Sequence, residues 1–347
     1  MILQQLSEAF GVSGQEDAVR KIILSAIKDH ATDIRIDPMG SITAFKKGTS
    51  RNRPRVMLAA HMDEIGFMVT GIGGDGLIKF TNIGGIDERI LPALRVKIGD
   101  NAVPGVIIWT PIHKSSGQNT PLKVSDLRID IGANSKDEVN GKVKLGDRIV
   151  FDSQYMEIGS KMLRGKAFDD RVGCSLLIDI LQSGPYPVDI LAAFTVQEEI
   201  GLRGAKVAAQ RLNPDVAIAL EGTTANDLPN PHAEPDDDIT ANPACKLGYG
   251  PVLTVMDARL IVPPGLLGFL RSTASKHDIP YQLKTQPGGG TDAGAIHLTN
   301  AGVPSAVISL PCRYIHSPMA YLNRDDYENT LRLLKAALTD LKWDVLR

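Results

Sequence analysis

Imidazole and carboxylate side chains able to hold divalent cations stand at His61, Asp169, Glu199, Glu221 and His316. Each ends an apolar, strand-like run or lies in a Gly-rich or Pro-flanked turn. Two neutral imidazoles and three carboxylates suffice for two divalent ions if one carboxylate bridges them, which leaves positions for a water and a substrate. The chemistry open to such a pair is hydrolysis, because it lowers the pKa of a water from about 15.7 toward roughly 7 and polarises a carbonyl.

Taken singly, every member of the set has a plainer reading. In HMDEIG, His61 and Asp63 are two apart and face the same way at a strand end. A carboxylate there can set the imidazole tautomer while the other ring nitrogen meets a metal, or the pair can be an ordinary turn with a buried histidine. Asp169 and Asp170 in KAFDDRVG precede an apolar helix, where acidic residues cap the helix and favour its dipole unless one of them bridges two cations. Glu198 and Glu199 follow the strand VDILAAFTVQ and diverge, so that one can bind metal while its neighbour faces the water as a general base of raised pKa. Glu221 closes DVAIALE, and a carboxylate on so apolar a strand needs a partner. His316 sits in RYIHSP after the strand SAVISL. Together they outweigh the plainer readings, since ligand sites of open α/β sheets gather at the carboxyl ends of strands.

The elements that position these residues alternate. Residues 13–30 predict a surface helix, with Ser13 and Glu16 in capping-box spacing and Val19, Ile22, Ile23 and Ile27 on one face. RVMLAA predicts a buried strand delivering His61. From residue 67 to 162 the pattern changes to short β-like runs punctuated by Gly and Pro. After Gly165 helix and strand alternate again to a terminal helix, RDDYENTLRLLKAALTDL. Because the candidate ligands lie before residue 67 and after residue 168, the β-rich stretch must leave and return to one site. The expected division is a discontinuous catalytic α/β domain, 1–66 with 163–347, interrupted by an inserted β-rich domain at 67–162 that carries no metal chemistry. The Pro- and Asp-rich stretch 225–251 follows a ligand directly and is either a wall or lid of the site or a solvated loop.

Composition excludes other classes. A chain of 347 residues favours two domains, and a net charge of -2 offers no basic surface for nucleic acid or anionic membranes. Cys174, Cys245 and Cys312 are odd in number and outside any CxxC spacing, which suits a reducing, cytoplasmic compartment and buried thiols. No run is of signal-peptide or bilayer-spanning character. Gly71, Gly73 and Gly76 satisfy GxGxxG, but the strand-like LIKFTNI that follows makes this a hairpin turn, not a dinucleotide site. The remaining histidines, His30, His113, His232, His277 and His297, lack acidic partners at comparable spacing, and Asp236–Asp238 reads as a solvated triplet.

The segments AAHMDEIGFMV, GKAFDDRVGC, VQEEIGLRGA, GGTDAGAIHL and GVPSAVIS with RYIHSP resemble, in order and over nearly the whole chain, the glutamyl and tetrahedral (TET) aminopeptidases, a family of cytoplasmic dinuclear metallopeptidases. That resemblance implies an α/β fold: a doubly wound, mixed-sheet metallopeptidase domain with an inserted β-rich, PDZ-like domain used in dimer contacts. It implies two divalent ions per subunit, Zn2+ or Co2+, with His61 on one, His316 on the other, Asp169 bridging, and Glu199 and Glu221 completing the set. It implies Glu198 as general base, Asp63 as the residue orienting His61, and peptides as substrates losing their N-terminal residues. Homo-oligomers, dimers assembled into a tetrahedral dodecamer, are implied as well. One departure stands out: many relatives carry Asp where this chain has Glu221, and the extra methylene moves the carboxylate by about one carbon–carbon bond. Competing readings are an endoglucanase, disfavoured by only 5% aromatic residues, an N-acyl amino acid deacylase, and a non-catalytic metal-bearing scaffold.

Overall fold

The computed structural model of the chain describes residues 2–109, 123–228, 245–285 and 288–346. Helices α1 (Ile2–Glu8) and α2 (Asp17–Ile27) lead into strands β1 (Thr32–Ile36), β2 (Ile42–Lys46) and β3 (Arg55–His61). Six strands follow: β4 (Gly66–Ile72), β5 (Ile78–Ile83), β6 (Arg95–Ile98), β7 (Val103–Ile108), β8 (Arg128–Asp130) and, after the short α3 (Lys136–Val139), β9 (Arg148–Phe151). Beyond β10 (Met156–Ile158) and β11 (Met162–Gly165), helix and strand alternate. They are α4 (Phe168–Gln182), β12 (Asp189–Thr195), α5 (Arg203–Leu212), β13 (Val216–Thr224), β14 (Val252–Thr254), α6 (Pro264–Lys276), β15 (Gln282–Lys284), α7 (Ala293–Ile296), β16 (Ser305–Cys312), β17 (Ala320–Asn323) and α8 (Arg324–Asp340).

The main sheet is mixed, in the order β1-β2-β12-β3-β13-β16-β14-β15. Its central strands β12, β3, β13 and β16 run parallel. They read as continuous apolar runs because both faces are covered, and period-two alternation sorts their residues between two layers. Val56, Leu58 and Ala60 of β3 pack with α1, α2, α4, α6 and α8, whereas Met57 and Ala59 pack with α5 and α7. That is a doubly wound arrangement, as expected.

Strands β4–β9 close a barrel in the order β4-β5-β8-β7-β6-β9, with its own core around Phe67, Phe80 and Phe151, whose rings meet edge to face. The glycines 71, 73 and 76 lie on β4 and in the turn that joins it to β5, with Gly76 at φ +81°. β10 falls inside the stretch 67–162 yet pairs with β11, and through it with β17, outside the barrel. His113 and His232, the acidic triplet 236–238 and most of the 225–251 stretch lie outside the described residues.

The expected capping box is not formed. α2 begins at Asp17, Glu16 occupies the cap position without a side-chain cap hydrogen bond, and the Ser13 hydroxyl instead donates to Asp63 at 2.6 Å. The Glu16 carboxylate accepts from Gly14 N at 2.7 Å, but burial pushes its pKa from about 4.5 up to about 7. The folded state therefore holds this proton more tightly than the unfolded chain, and stability falls as pH rises from 4.5 through 7. Glu16→Gln is expected to raise stability at pH 8 by on the order of 1–3 kcal/mol and to change it little at pH 4. Denaturant melts at the two pH values test this, and an equal effect at both refutes it.

Candidate metal centre

Register brings the site together. In the parallel pairs Thr195 of β12 lies level with His61 of β3, and Ala219 of β13 lies level with Ala59. Glu221, two residues on, therefore comes level with His61, although β13 continues past it to Thr224. The turn after β12 carries Glu198 and Glu199, and the turn after β16 carries His316 in a left-handed conformation, φ +58°.

All of the expected metal-binding candidates converge. His61 Nε2 is 3.2 Å from Asp169 Oδ1, 3.6 Å from Glu221 Oε2 and 3.9 Å from Glu198 Oε2. His316 Nε2 is 3.3 Å from Asp169 Oδ2 and 3.5 Å from Glu199 Oε1. Asp169 thus turns one oxygen to each imidazole. The tautomers follow from the opposite ring nitrogens, which face backbone carbonyls that can only accept. His61 Nδ1 donates to Asp63 O at 3.1 Å and His316 Nδ1 donates to Gly85 O at 2.8 Å, so both Nε2 atoms point into the acidic cluster. His316 is 37% exposed and His61 1%, so the site opens on the His316 side.

Asp63 differs from the sequence expectation in the atom used. Its backbone oxygen makes the shorter contact to His61, and its carboxylate stands 3.5 Å away. That carboxylate accepts from Ser13 Oγ and from the backbone N–H groups of Glu198 and Glu199, at 3.0 and 3.2 Å, and so fixes the glutamate turn. The two aspartates divide their positions between the helix start and the site. Asp170 Oδ1 accepts from Gly173 N in N-cap spacing and Oδ2 accepts from His61 N, leaving Asp169 to face the site. Asp170 also lies within 4.8 Å of ligand atoms of His61 and Glu221, but its oxygens are already occupied by those N–H groups, so Asp169 is the better donor.

Electrostatics fit cations. Burial works against charge on His61, yet the Asp169 and Asp63 carboxylates outweigh it and hold its pKa well above the ordinary value. Burial likewise opposes charge on His316, but the Asp169 and Glu199 carboxylates lift it to about 9. Burial raises Glu198 and Glu221 well above the usual carboxylate range and takes Glu199 to about 8. Asp169 stays low because the two imidazoles overcome its desolvation. Glu199 Oε1 is buried without a hydrogen-bond partner. A cluster that binds protons this avidly, with an orphaned carboxylate oxygen and two Nε2 atoms turned toward the carboxylates, has the donor set of a site for divalent ions.

The cluster forms one end of a cavity of about 710 Å³. Its polar lining includes Thr223, Thr224, Asn226, Thr254 and Thr291, the cations Arg259 and Lys284, and Asp257, while Leu202 and Ile315 supply apolar surface. Asn226 is the contribution of the 225–251 stretch among the described residues. Sequence reasoning missed several participants. Gly85 acts through a backbone carbonyl, which no side-chain pattern signals, and through it the 67–162 stretch orients a candidate ligand. Asp292, fully buried, accepts from Thr195 Oγ1 and donates its N–H to Glu221 at 3.3 Å. It stood in the quoted segment GGTDAGAIHL without an assigned role. Arg259 and Lys284 are isolated basic residues whose convergence only the fold shows. Of the histidines set aside, His277 does meet an acid, Asp340 at 3.0 Å, on the surface.

A family model described as M42 glutamyl aminopeptidase matches residues 40–333. The lysyl aminopeptidase of Pyrococcus furiosus is 34% identical, the match covering 98% of this chain and 97% of that protein. Among solved structures, a TET aminopeptidase from the marine sediment archaeon Thaumarchaeota archaeon SCGC AB-539-E09 is 36% identical, with a TM-score of 0.92 over 99% of this chain and 98% of that one. The TET1 peptidase of Pyrococcus horikoshii, described as assembling into a tetrahedron or a large octahedral shell, is 32% identical with a TM-score of 0.85 over 98% and 99% of the two chains.

Proposed function

The chain belongs to the M42 glutamyl aminopeptidase family and is an aminopeptidase, a metal-dependent hydrolase; from that premise we propose that its centre is dinuclear, with Glu198 as general base. The observation that carries the reading is Asp169, one oxygen on each side, between two imidazoles whose Nε2 atoms both face it. His61 and Glu221 would hold one ion, His316 and Glu199 the other, and Asp169 both. Bound there, divalent ions such as Zn2+ or Co2+ supply Lewis-acid polarisation of the scissile carbonyl and a lowered pKa for the attacking water.

The protein's own groups do the rest. Glu198 is held by its backbone N–H on Asp63, beside His61, and its burial gives it the proton affinity a base needs to take a proton from water and pass it to the leaving amine. Asp63 holds both glutamates and Asp292 braces Glu221 through its N–H, so the carboxylates are positioned before substrate arrives. The acidic wall attracts a protonated α-amine, confining cleavage to N-terminal residues. No Phe, Trp or Tyr stands among the described residues lining the cavity, so a sugar has no stacking platform and the endoglucanase alternative is not supported.

Arg259 and Lys284 extend the proposal to the substrate side chain. Among the described residues neither is in an ion pair, Lys284 Nζ donating to the Thr223 hydroxyl at 3.0 Å, and both line a cavity that is otherwise mostly polar. Peptides beginning with Glu or Asp are the expected substrates, and those beginning with Lys the poorest. Chromogenic aminoacyl amides, assayed with each metal and after chelation, test both points. Cleavage that survives chelation, or N-acetylated amides hydrolysed as fast as free ones, refutes the aminopeptidase mechanism. Lys284→Met is expected to cut kcat/KM for the Glu amide by about 10- to 100-fold, the worth of a hydrogen bond to a charged group, with little effect on the Ala amide.

The barrel stretch is proposed to act as the inserted domain expected at 67–162, with β10 already on the return path. Assembly into dimers and a tetrahedral dodecamer is proposed from the likeness to the TET1 peptidase. Three cysteines buried as free thiols support a reducing cytoplasm. No described helix is long and apolar enough to cross a membrane.

A further inference from the structure

We propose that Glu64, Lys166 and Arg171 form a buried charged clamp that, with residues 6–13, sets the spacing of His61 and Asp169; the three are positioning residues of the centre. This rests on the dinuclear reading above.

The two candidate ligands are 108 residues apart in sequence and lie in a cluster of carboxylates that repel one another. Something other than the ions must hold their loops in place before metal arrives. Glu64 stands on the His61 loop, while Lys166 and Arg171 flank Asp169. Lys166 Nζ donates to both oxygens of Glu64 at 2.7 Å, and Arg171 Nη2 donates to Oε1 at 3.1 Å. All three side chains are at most 3% exposed. Desolvated charge pairs of this kind are stiff, because separating them strands a charge away from water.

The same groups engage the N-terminal segment. Lys166 Nζ also donates to Ala9 O at 2.9 Å, Arg171 donates to the carbonyls of Leu6 and Gly11, and Glu64 N donates to Gly11 O at 2.9 Å. Ser7 Oγ returns a bond to Lys166 O, and Ser13 Oγ reaches Asp63. The segment from Leu6 to Ser13 therefore touches both ligand loops and staples them through the clamp. A small cavity lined by Lys166, Asp169, Glu199 and His316 puts the clamp directly behind the centre.

Two cations against one carboxylate leave the clamp with one net positive charge. The double variant E64Q/K166M keeps that net charge on Arg171 while removing the Lys166–Glu64 link, so it separates geometry from field. With Co2+ as probe, wild type and variant are titrated for affinity and for the visible absorption of the bound ion. The expected result is a native circular dichroism spectrum in the apo form, affinity weakened by about 10- to 100-fold, and an altered Co2+ spectrum. An apo variant that folds and binds Co2+ with wild-type affinity and spectrum overturns the proposal. Should the double variant not fold, Glu64→Asp replaces it: charge is kept, reach is shortened, and wild-type Co2+ binding there is equally fatal. If the wild type itself binds no Co2+, the dinuclear reading fails instead.

Discussion

Replacing Glu198 by glutamine is expected to leave the metal content at the wild-type level and to lower kcat by about 10²- to 10⁴-fold. The amide matches the carboxylate in shape but cannot take a proton. The backbone N–H that anchors this residue to Asp63 is untouched, so the turn and neighbouring Glu199 stay in place. Glu198 lies farther from His61 than Asp169 and Glu221 do, 3.9 Å against 3.2 and 3.6 Å, which sets it just outside the set of closest donors. Elemental analysis and steady-state kinetics on the same preparation decide the matter. Near-normal turnover removes Glu198 from the mechanism, and loss of metal reassigns it as a ligand.

Asp169→Asn should act in the opposite order, through metal first and activity second. Asp169 offers one oxygen toward His61 and the other toward His316, and it is the one candidate carboxylate within 4.0 Å of both imidazoles among the described residues. An amide replaces one of those oxygens with a donor group that repels a cation. Metal content is expected to fall from two ions per chain toward none. A ligand at about 1,000 times its Kd stabilises the folded state by roughly 4 kcal/mol, so added Zn2+ should raise the wild-type melting temperature and leave the variant's unchanged. Calorimetry with and without Zn2+ provides the readout, and a variant that keeps two ions and the wild-type thermal shift rules out bridging.

The Asp169 substitution also bears on the clamp beneath the site. Asp169 sits between Lys166 and Arg171 in sequence, and its backbone is the part of the loop that those cations tie to Glu64 and to the N-terminal segment. A change at Asp169 removes a donor from a loop that is still held. A change at Glu64 keeps the donors and frees the loop. Comparing Co2+ binding by the Asp169 and Glu64 variants therefore tells lost ligands, which leave no bound ion, from displaced ones, which leave an ion with an altered spectrum.

Much of this centre could be read directly from residue type and local pattern. His61, Asp169, Glu199, Glu221 and His316 stand out as a set, because five metal-capable groups at the ends of apolar runs or in turns outweigh the plainer reading each has singly, and the alternation of helix and strand around them already pointed to an α/β sheet, which the family resemblance made doubly wound. Such signals are short-range: periodicity and capping act within a few residues of the chain. Partnership is not short-range. Whether Asp169 or Asp170 faces the site, whether Ser13 caps α2 or reaches Asp63, that His316 leans on Gly85, and that Glu64 meets Lys166 all depend on strand register and on segments separated by 50 to more than 200 residues. Those pairings arise only when β3, β12 and β13 align in parallel and the barrel returns against the sheet. Side-chain chemistry was therefore present in the sequence, while the tertiary structure alone decided which atoms of those side chains meet.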